Sequence, residues 1–448
     1  MIVYTTRRLE ILTLRDLYCT NAYTLMSMFY PRSFRALLTT LLGSLSLIPA
    51  LSQRVLAQAP TGSVCPAQLG GQLDRIVNRV PGQWSILVQN QAASGQRQNL
   101  YANNPSILLM PASNNKVFTT AAVLVKLGGR YQFRTPILGN TISPELATMR
   151  VVGQGDPSFS TSQLRTLTQQ LKQKGVRRIN LLIGDDTVFR GEPYNPFWAT
   201  RHRGEGYAAP VNSLLVNENN IYDSSVPNPG NYFVGEFRRI LTASGIQVIQ
   251  STLVKQTPAS PSEIELTAIV SPPLSQLISE TNQNSNNVYA EALFKTLGRL
   301  REPTTLDTSA SGVNAVREIL SGLDVNPNRY SMVDGSGLAE RDRASAEAFV
   351  QTLQAMALQP EAQTFRRSLP VAGRSGTLSN RMVNTSAAGV VFAKTGTLQG
   401  AVALSGYINP PNYSPLVFSM IINSGDSPST LRSAIDEMVV ILSRLRNC

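Results

Sequence analysis

A single histidine, His202, stands in the 448 residues of this chain. That scarcity leaves a Ser–His–Asp or Cys–His catalytic set one imidazole to draw on, and it excludes a two-histidine zinc site. No apolar run reaches the ~18–20 residues of a membrane span, and no repeat of solenoid period recurs. There is no basic run or aromatic–basic pattern of a nucleic-acid binder. No metal cluster or nucleotide loop is visible, so no cofactor is expected. Lysine is also scarce, with seven among 40 basic residues. Arg stays protonated, whereas a Lys with a depressed pKa can accept a proton. The places where this Arg-rich chain uses Lys are therefore informative.

What is present is globular: 42% hydrophobic and 15% charged residues, enough for two to three domains. Near the start, Ala36 to Leu51 is an apolar run preceded by Arg32 and Arg35 and followed by Ala57-Gln58-Ala59, a small-x-small cleavage signature. Its length suits a cleaved secretory signal over residues 1–59 better than an anchor, with Met26 or Met28 as alternative starts. Cleavage removes six Arg and two acids and leaves a basic chain, suited to an anionic envelope polymer in the periplasm or cell-wall space. It also removes Cys19 and leaves Cys65 and Cys448 near the two ends. In an oxidising compartment these form either a disulfide that clamps the termini or two free thiols.

Apolar spacing predicts a helix over Pro66–Val80, strands at Trp84–Val88 and Ile107–Leu109, and a long helix from about residue 113. Residues 135–270 read as a β-rich insert, with strands Met149–Val152, Asn180–Ile183, Ile246–Leu253 and Glu263–Ile269, and helices Ser162–Lys174 and Val234–Ala243. Strong helices then resume at Leu274–Thr281, Asn287–Leu300, Ser311–Leu320, Ala344–Ala357 and Leu431–Leu445. Strands Gly389–Ala393, Ala401–Ile408 and Leu416–Ile422 lie among the last of these. The order implies an α/β (α+β) domain of residues 60–134 and 271–448, interrupted by the insert.

Three motifs carry chemistry. Ser113 and Lys116 open an apolar helix three residues apart, within mutual reach, and no other lysine has a serine at that offset. The free N–H groups at a helix start depress a nearby ammonium and favour a hydroxyl nucleophile; the plainer reading is an N-capping Ser with a solvated Lys. Ser285-Asn286-Asn287 precedes another helix, where it would relay a proton and hold a substrate amide, or simply cap the helix. Lys394-Thr395-Gly396-Thr397 ends an apolar strand: a cation and hydroxyl suited to a carboxylate, with a glycine that lets a ligand approach the backbone. Arg374-Ser375-Gly376-Thr377-Leu378 looks similar but lacks the strand, and reads as a look-alike only.

Together, in this order, the motifs are those of the penicillin-binding proteins and serine β-lactamases. With Gly-Gln-Gly-Asp-Pro (153–157), Asp-Gly-Ser-Gly-Leu (334–338), Ala-Lys-Thr-Gly-Thr-Leu (393–398) and Leu404-Ser405-Gly406-Tyr407, the chain from about residue 65 onward resembles the low-molecular-mass class C penicillin-binding proteins. These are D-alanyl-D-alanine carboxypeptidase/endopeptidases of the penicillin-binding protein 4 type, peptidase family S13. The resemblance implies a transpeptidase fold, an antiparallel sheet flanked by helices. It makes Ser113 the acylated nucleophile, Lys116 its base, and Ser285 a proton shuttle. Asn287 and Lys116 would hold the site together. Lys394 and Thr395 would bind the terminal carboxylate, and the N–H groups of Ser113 and Thr397, across Gly396, would form the oxyanion hole. Asp156 would read the amino end of a stem peptide, or else only make a turn. The substrates implied are peptidoglycan stem peptides, with β-lactams as acylating inhibitors. The short stretch after Asn217–Asn220 implies that the third domain of long relatives is reduced. A serine β-lactamase, a non-catalytic wall-binding relative and a His202-based hydrolase are the competing readings.

Overall fold

A computed structural model describes residues 62–93 and 95–448. The leader expected over residues 1–59, with its expected cleavage site and alternative starts, falls outside the described residues, as does Cys19.

The chain opens with α1 (Pro66–Arg79), β1 (Gln83–Asn90) and β2 (Asn99–Asn103). A 3-10 turn (Ala112–Asn115) runs straight into α2 (Lys116–Leu127). Next come β3 (Arg134–Gly139), β4 (Glu145–Val152), α3 (Thr161–Gln173) and β5 (Arg178–Asp185). The irregular stretch that follows holds three short 3-10 turns and a small hairpin, β6 (Asn220–Ile221) and β7 (Ser224–Ser225). Then α4 (Pro229–Ala243), β8 (Gln247–Val254) and β9 (Ile264–Val270) lead into α5 (Leu274–Gln283), α6 (Asn287–Arg301) and α7 (Thr308–Ser321). A turn between β10 (Tyr330–Ser331) and β11 (Arg343–Ala344) precedes α8 (Ala346–Met356) and α9 (Ala362–Ser368). The chain closes with β12 (Val391–Leu398), β13 (Ala401–Ile408), β14 (Leu416–Asn423) and α10 (Pro428–Leu442).

The two ends of the chain build one antiparallel sheet, in the order β12-β13-β14-β1-β2. Both of its faces are covered. Leu87, Ala403, Tyr407, Val417 and Ile421 pack on α2, α5, α6 and α8, while Ile86, Val402, Leu404, Phe418 and Met420 pack on α1 and α10. With helices on both sides every residue of β13 is buried, so its sequence is apolar on both faces instead of alternating, except at Ser405, whose hydroxyl is bonded to Asn114 and Ser419. A second sheet, β8-β5-β4-β3-β9, uses only residues 134–270 and is covered by α3 and α4. It is mixed: β4, β5 and β8 run parallel, while β3 pairs antiparallel with β4 and β9. Among the described residues, no helix is long and apolar enough to cross a membrane.

The structure adds β2 and α9 to the elements read from the sequence and moves the strand read at Gly389–Ala393 to Val391–Leu398. Three further details differ. Ile107–Leu109 is not a strand; only Leu109 bridges, to Ala344. β3 was not anticipated, because Pro136 speaks against a strand interior, yet it lies there opposite Ala268. The helix read from residue 113 starts as a 3-10 turn and becomes α-helical at Lys116.

Cys65 and Cys448 are joined, with Cα atoms 5.7 Å apart and a sequence separation of 383. The same termini share main-chain bonds, Val64 N–H to Arg444 O at 3.0 Å and Arg446 N–H to Val64 O at 3.1 Å. A crosslink closing so long a loop removes much freedom from the unfolded chain. The double variant C65S/C448S is expected to lose about 2–5 kcal/mol in urea unfolding while keeping its activity in the absence of denaturant. Unchanged unfolding would show that the main-chain bonds suffice.

Candidate active site

The nucleophile candidate sits where three segments are forced together. Ala112, just before Ser113, has φ +51°, a left-handed conformation that costs an alanine roughly 1 kcal/mol. Two glycines allow the close approach around it. A Cβ on Gly337 would lie 2.0 Å from Ala112 O, and one on Gly396 would lie 2.3 Å from Pro111 O. Both neighbouring asparagines are buried and tie the turn down: Asn114 Nδ2 donates to Ser405 Oγ (2.7 Å) on β13, and Asn115 Nδ2 to Asp334 O (3.0 Å). Ser113 itself is half-buried, and its hydroxyl has one side-chain partner, Lys116.

Lys116 is fully buried at the first position of α2. Its Nζ lies 2.9 Å from Ser113 Oγ, 2.6 Å from Asn287 Oδ1 and 2.7 Å from Ser336 O. Burial pulls its pKa down to about 7, against the opposing pull of Asp334, Glu291 and Asp342. A free amine has two N–H groups and one lone pair. The Asn287 and Ser336 oxygens take the two hydrogens, so the lone pair is left facing the Ser113 hydroxyl. The amide of Asn287 is itself oriented, because its Nδ2 donates to Tyr207 O at 2.8 Å. If the base must be unprotonated, kcat/KM is expected to rise with pH through about 7 and to fall about tenfold per pH unit below it. A flat profile between pH 5.5 and 7 would rule out Lys116 as the titrating base.

A second serine–lysine pair faces the first. Lys394, buried on β12, donates to Ser285 Oγ at 2.9 Å and to Thr395 O at 3.0 Å. Burial, with the Lys116 cation nearby, holds its amine well below the usual lysine range. Ser285 itself has φ +56°, in the turn between α5 and α6. Asn286 then caps α6, its side chain accepting from Tyr289 N–H at 3.2 Å. The middle residue of the tripeptide thus does the capping, which leaves Ser285 and Asn287 free for other partners. On the edge strand Thr395 is buried and Thr397 exposed.

The structure therefore gathers Ser113, Lys116, Ser285, Asn287, Lys394 and Thr395 into one centre. Asp156 makes none of these side-chain bonds: buried after β4, its Oδ1 accepts the Ser158 N–H (2.9 Å) and hydroxyl (2.6 Å), the bonds of a turn. His202 is buried beside Tyr207, with Nδ1 2.9 Å from the Tyr207 hydroxyl, and it touches neither serine. Burial and Arg201 lower its pKa. The look-alike at 374–378 needs correction. Thr377 Oγ1 lies 2.8 Å from Thr395 Oγ1, so this loop adds a hydroxyl to the site. In the sequence Asp334 has a place in a motif but no role, and Asp342 does not stand out; both are buried acids near Lys116. Asp334 accepts Trp198 Nε1–H (2.8 Å), Gly337 N–H (2.6 Å) and Ala339 N–H (2.8 Å), and Asp342 accepts Val333 N–H (2.7 Å). Burial, with Asp334 close by, drives the Asp342 carboxyl well above the usual carboxylate range.

A serine held by a buried lysine at a helix start, beside a second serine held by a lysine on an antiparallel edge strand, defines a serine hydrolase of the penicillin-binding type. The model of the D-Ala-D-Ala carboxypeptidase 3 (S13) family matches residues 71–232 and 222–445, and the chain belongs to that family. It is thus an enzyme of the serine D-Ala-D-Ala peptidase type. It is 28% identical over 478 residues to a D-alanyl-D-alanine carboxypeptidase of Actinomadura sp. (strain R39), covering 87% of this chain and 88% of that one. Penicillin binding protein 4 from Haemophilus influenzae shares the fold, with a TM-score of 0.75 at 21% identity over 83% of this chain and 98% of that one. A predatory endopeptidase from Bdellovibrio bacteriovorus also shares it, with a TM-score of 0.56 at 18% identity over 79% and 90%.

Proposed function

We propose that the protein is exported and hydrolyses peptidoglycan stem peptides at D-Ala-D-Ala termini, at D-Ala–diaminoacyl cross-links, or at both, through an ester on Ser113. The observation that carries this reading is the 2.9 Å contact between Ser113 Oγ and an amine whose pKa lies near 7. Lys116 takes the Ser113 proton as Oγ attacks the carbonyl of the penultimate D-Ala. The N–H groups of Ser113 and Thr397 receive the oxyanion. As the C–N bond breaks, the leaving amine takes a proton relayed through Ser285. Water then attacks the ester, with Lys116 again as base, and releases the shortened peptide. Lys394 and the Thr395 hydroxyl bind the substrate's terminal carboxylate, whose charge favours a protonated Lys394. A β-lactam enters by the same attack and remains as a penicilloyl ester. In this reading residues 60–134 and 271–448 form the catalytic domain and residues 135–270 the insert.

The test is release of D-alanine from a muramyl pentapeptide, and of monomer from a cross-linked dimer. Turnover of either substrate, with a penicilloyl ester that lasts hours, is the expected result. Penicillin hydrolysed within seconds would make the protein a β-lactamase, and binding to sacculi without any cleavage would make it a wall-binding relative.

A further inference from the structure

Helix α6 begins with the Asn287 that faces Lys116, and Glu291 lies one turn further along the same buried face. Glu291 is 1% exposed, and none of the roles above employs it. Its Oε1 accepts two main-chain donors, Gly335 N–H at 2.9 Å and Ser336 N–H at 2.8 Å. Both amides belong to the turn between β10 and β11, and the carbonyl of Ser336 is the one that Lys116 Nζ meets at 2.7 Å. That turn presses on α6. A Cβ on Gly335 would lie 2.5 Å from Phe294 Cβ and 2.9 Å from Ala290 O. From the other side, Thr119 on α2 donates its hydroxyl to Gly335 O at 2.7 Å.

We propose that Glu291 is a positioning residue of the catalytic centre: by accepting both amides it holds the Gly335–Ser336 side of the turn, while Asp334 Oδ1 holds the next peptide through Gly337 N–H (2.6 Å), and with both planes fixed the Ser336 carbonyl meets Lys116 and helps aim the amine at Ser113. Two acceptors direct the lone pair of that amine. Tyr207 orients one of them, Asn287 Oδ1, and Glu291 acts with Asp334 on the other, Ser336 O, each holding one of the two peptides that flank Ser336. Losing either direction lets the amine turn away while substrate still binds. A buried carboxyl is costly, and α6 offsets that cost with Lys295 four residues on, whose Nζ donates to Glu192 O (3.0 Å) and Val211 O (2.8 Å). Burial pushes Glu291 up and Lys295 down, and the attraction between them opposes both shifts.

The inference rests on Lys116 acting on Ser113, and it is tested separately from that reading. Glu291→Ala releases the turn, whereas Glu291→Gln keeps an Oε1 that can accept both amides. For E291A, kcat is expected to fall about a hundredfold, the cost of a small misplacement of a reacting group. KM should stay within about twofold, and acylation by penicillin should slow in parallel. E291Q is expected to recover most of kcat. A kcat for E291A, per folded molecule, within about threefold of wild type would overturn the role and leave the base assignment standing. If E291A does not fold, E291Q decides: a folded E291Q that loses as much kcat as removal of Lys116 also overturns it, since its acceptor is intact.

Discussion

Replacing Ser113 by alanine is expected to lower kcat for D-alanine release by a factor on the order of 10⁴–10⁶, with little change in KM or in thermal stability. The loss is large because no other hydroxyl takes over. Ser285 is bonded to Lys394 in a separate turn, and Thr395 and Thr377 face each other across the strand edge. The cost to the fold is small because the Ser113 hydroxyl has one side-chain partner, while Asn114 and Asn115 carry the anchoring of its turn. Steady-state rates on a pentapeptide, with circular dichroism to verify folding, measure both. Residual turnover above about 1% of wild type would place the nucleophile elsewhere.

Lys116→Met should come next in severity, with a loss on the order of 10³–10⁴, at the upper end of what one proton acceptor contributes. Methionine fills a similar volume, so the buried space stays occupied. The variant loses the base, and it leaves Asn287 Oδ1 and Ser336 O without the Lys116 donor. Each lost bond costs about 1–3 kcal/mol, partly offset because no ammonium has to be desolvated. Arginine should not restore activity, because a guanidinium remains protonated. The rise in rate through about pH 7 should vanish with the lysine. A K116M enzyme that kept the wild-type pH profile would assign that ionisation to another group.

The chemistry at the centre was legible because it demands particular residue types. A free amine beside a hydroxyl needs Lys and Ser at helical offset, and Ser113 with Lys116 is the one such pair with a lysine three residues after a serine. Strand β13 was legible to its ends for a different reason: full burial from both sides makes it apolar at every position but Ser405 and Gly406. Contacts made by packing left no such trace. The left-handed Ala112 follows from the close approach of Gly337 and Gly396, not from its own residue type. Thr377 was dismissed because no strand precedes it, yet the loop it occupies folds back onto β12 from a separate segment of chain. Glu291 reads in sequence as a polar residue on an amphipathic helix. That it is buried becomes apparent only when the 334–338 turn lands on α6. The insert was read as strands and helices without their pairing, and the parallel β4–β5–β8 ladder arises from helical crossovers that local periodicity does not report.

The intact mass of the chain from residue 60 onward, measured after incubation with penicillin on wild type, S113A and K116M, decides whether Ser113 is the nucleophile. One penicilloyl group on wild type, none on S113A and slow, incomplete labelling of K116M is the expected result. An adduct of equal size on S113A, or none on folded wild type with the antibiotic left intact, would contradict it.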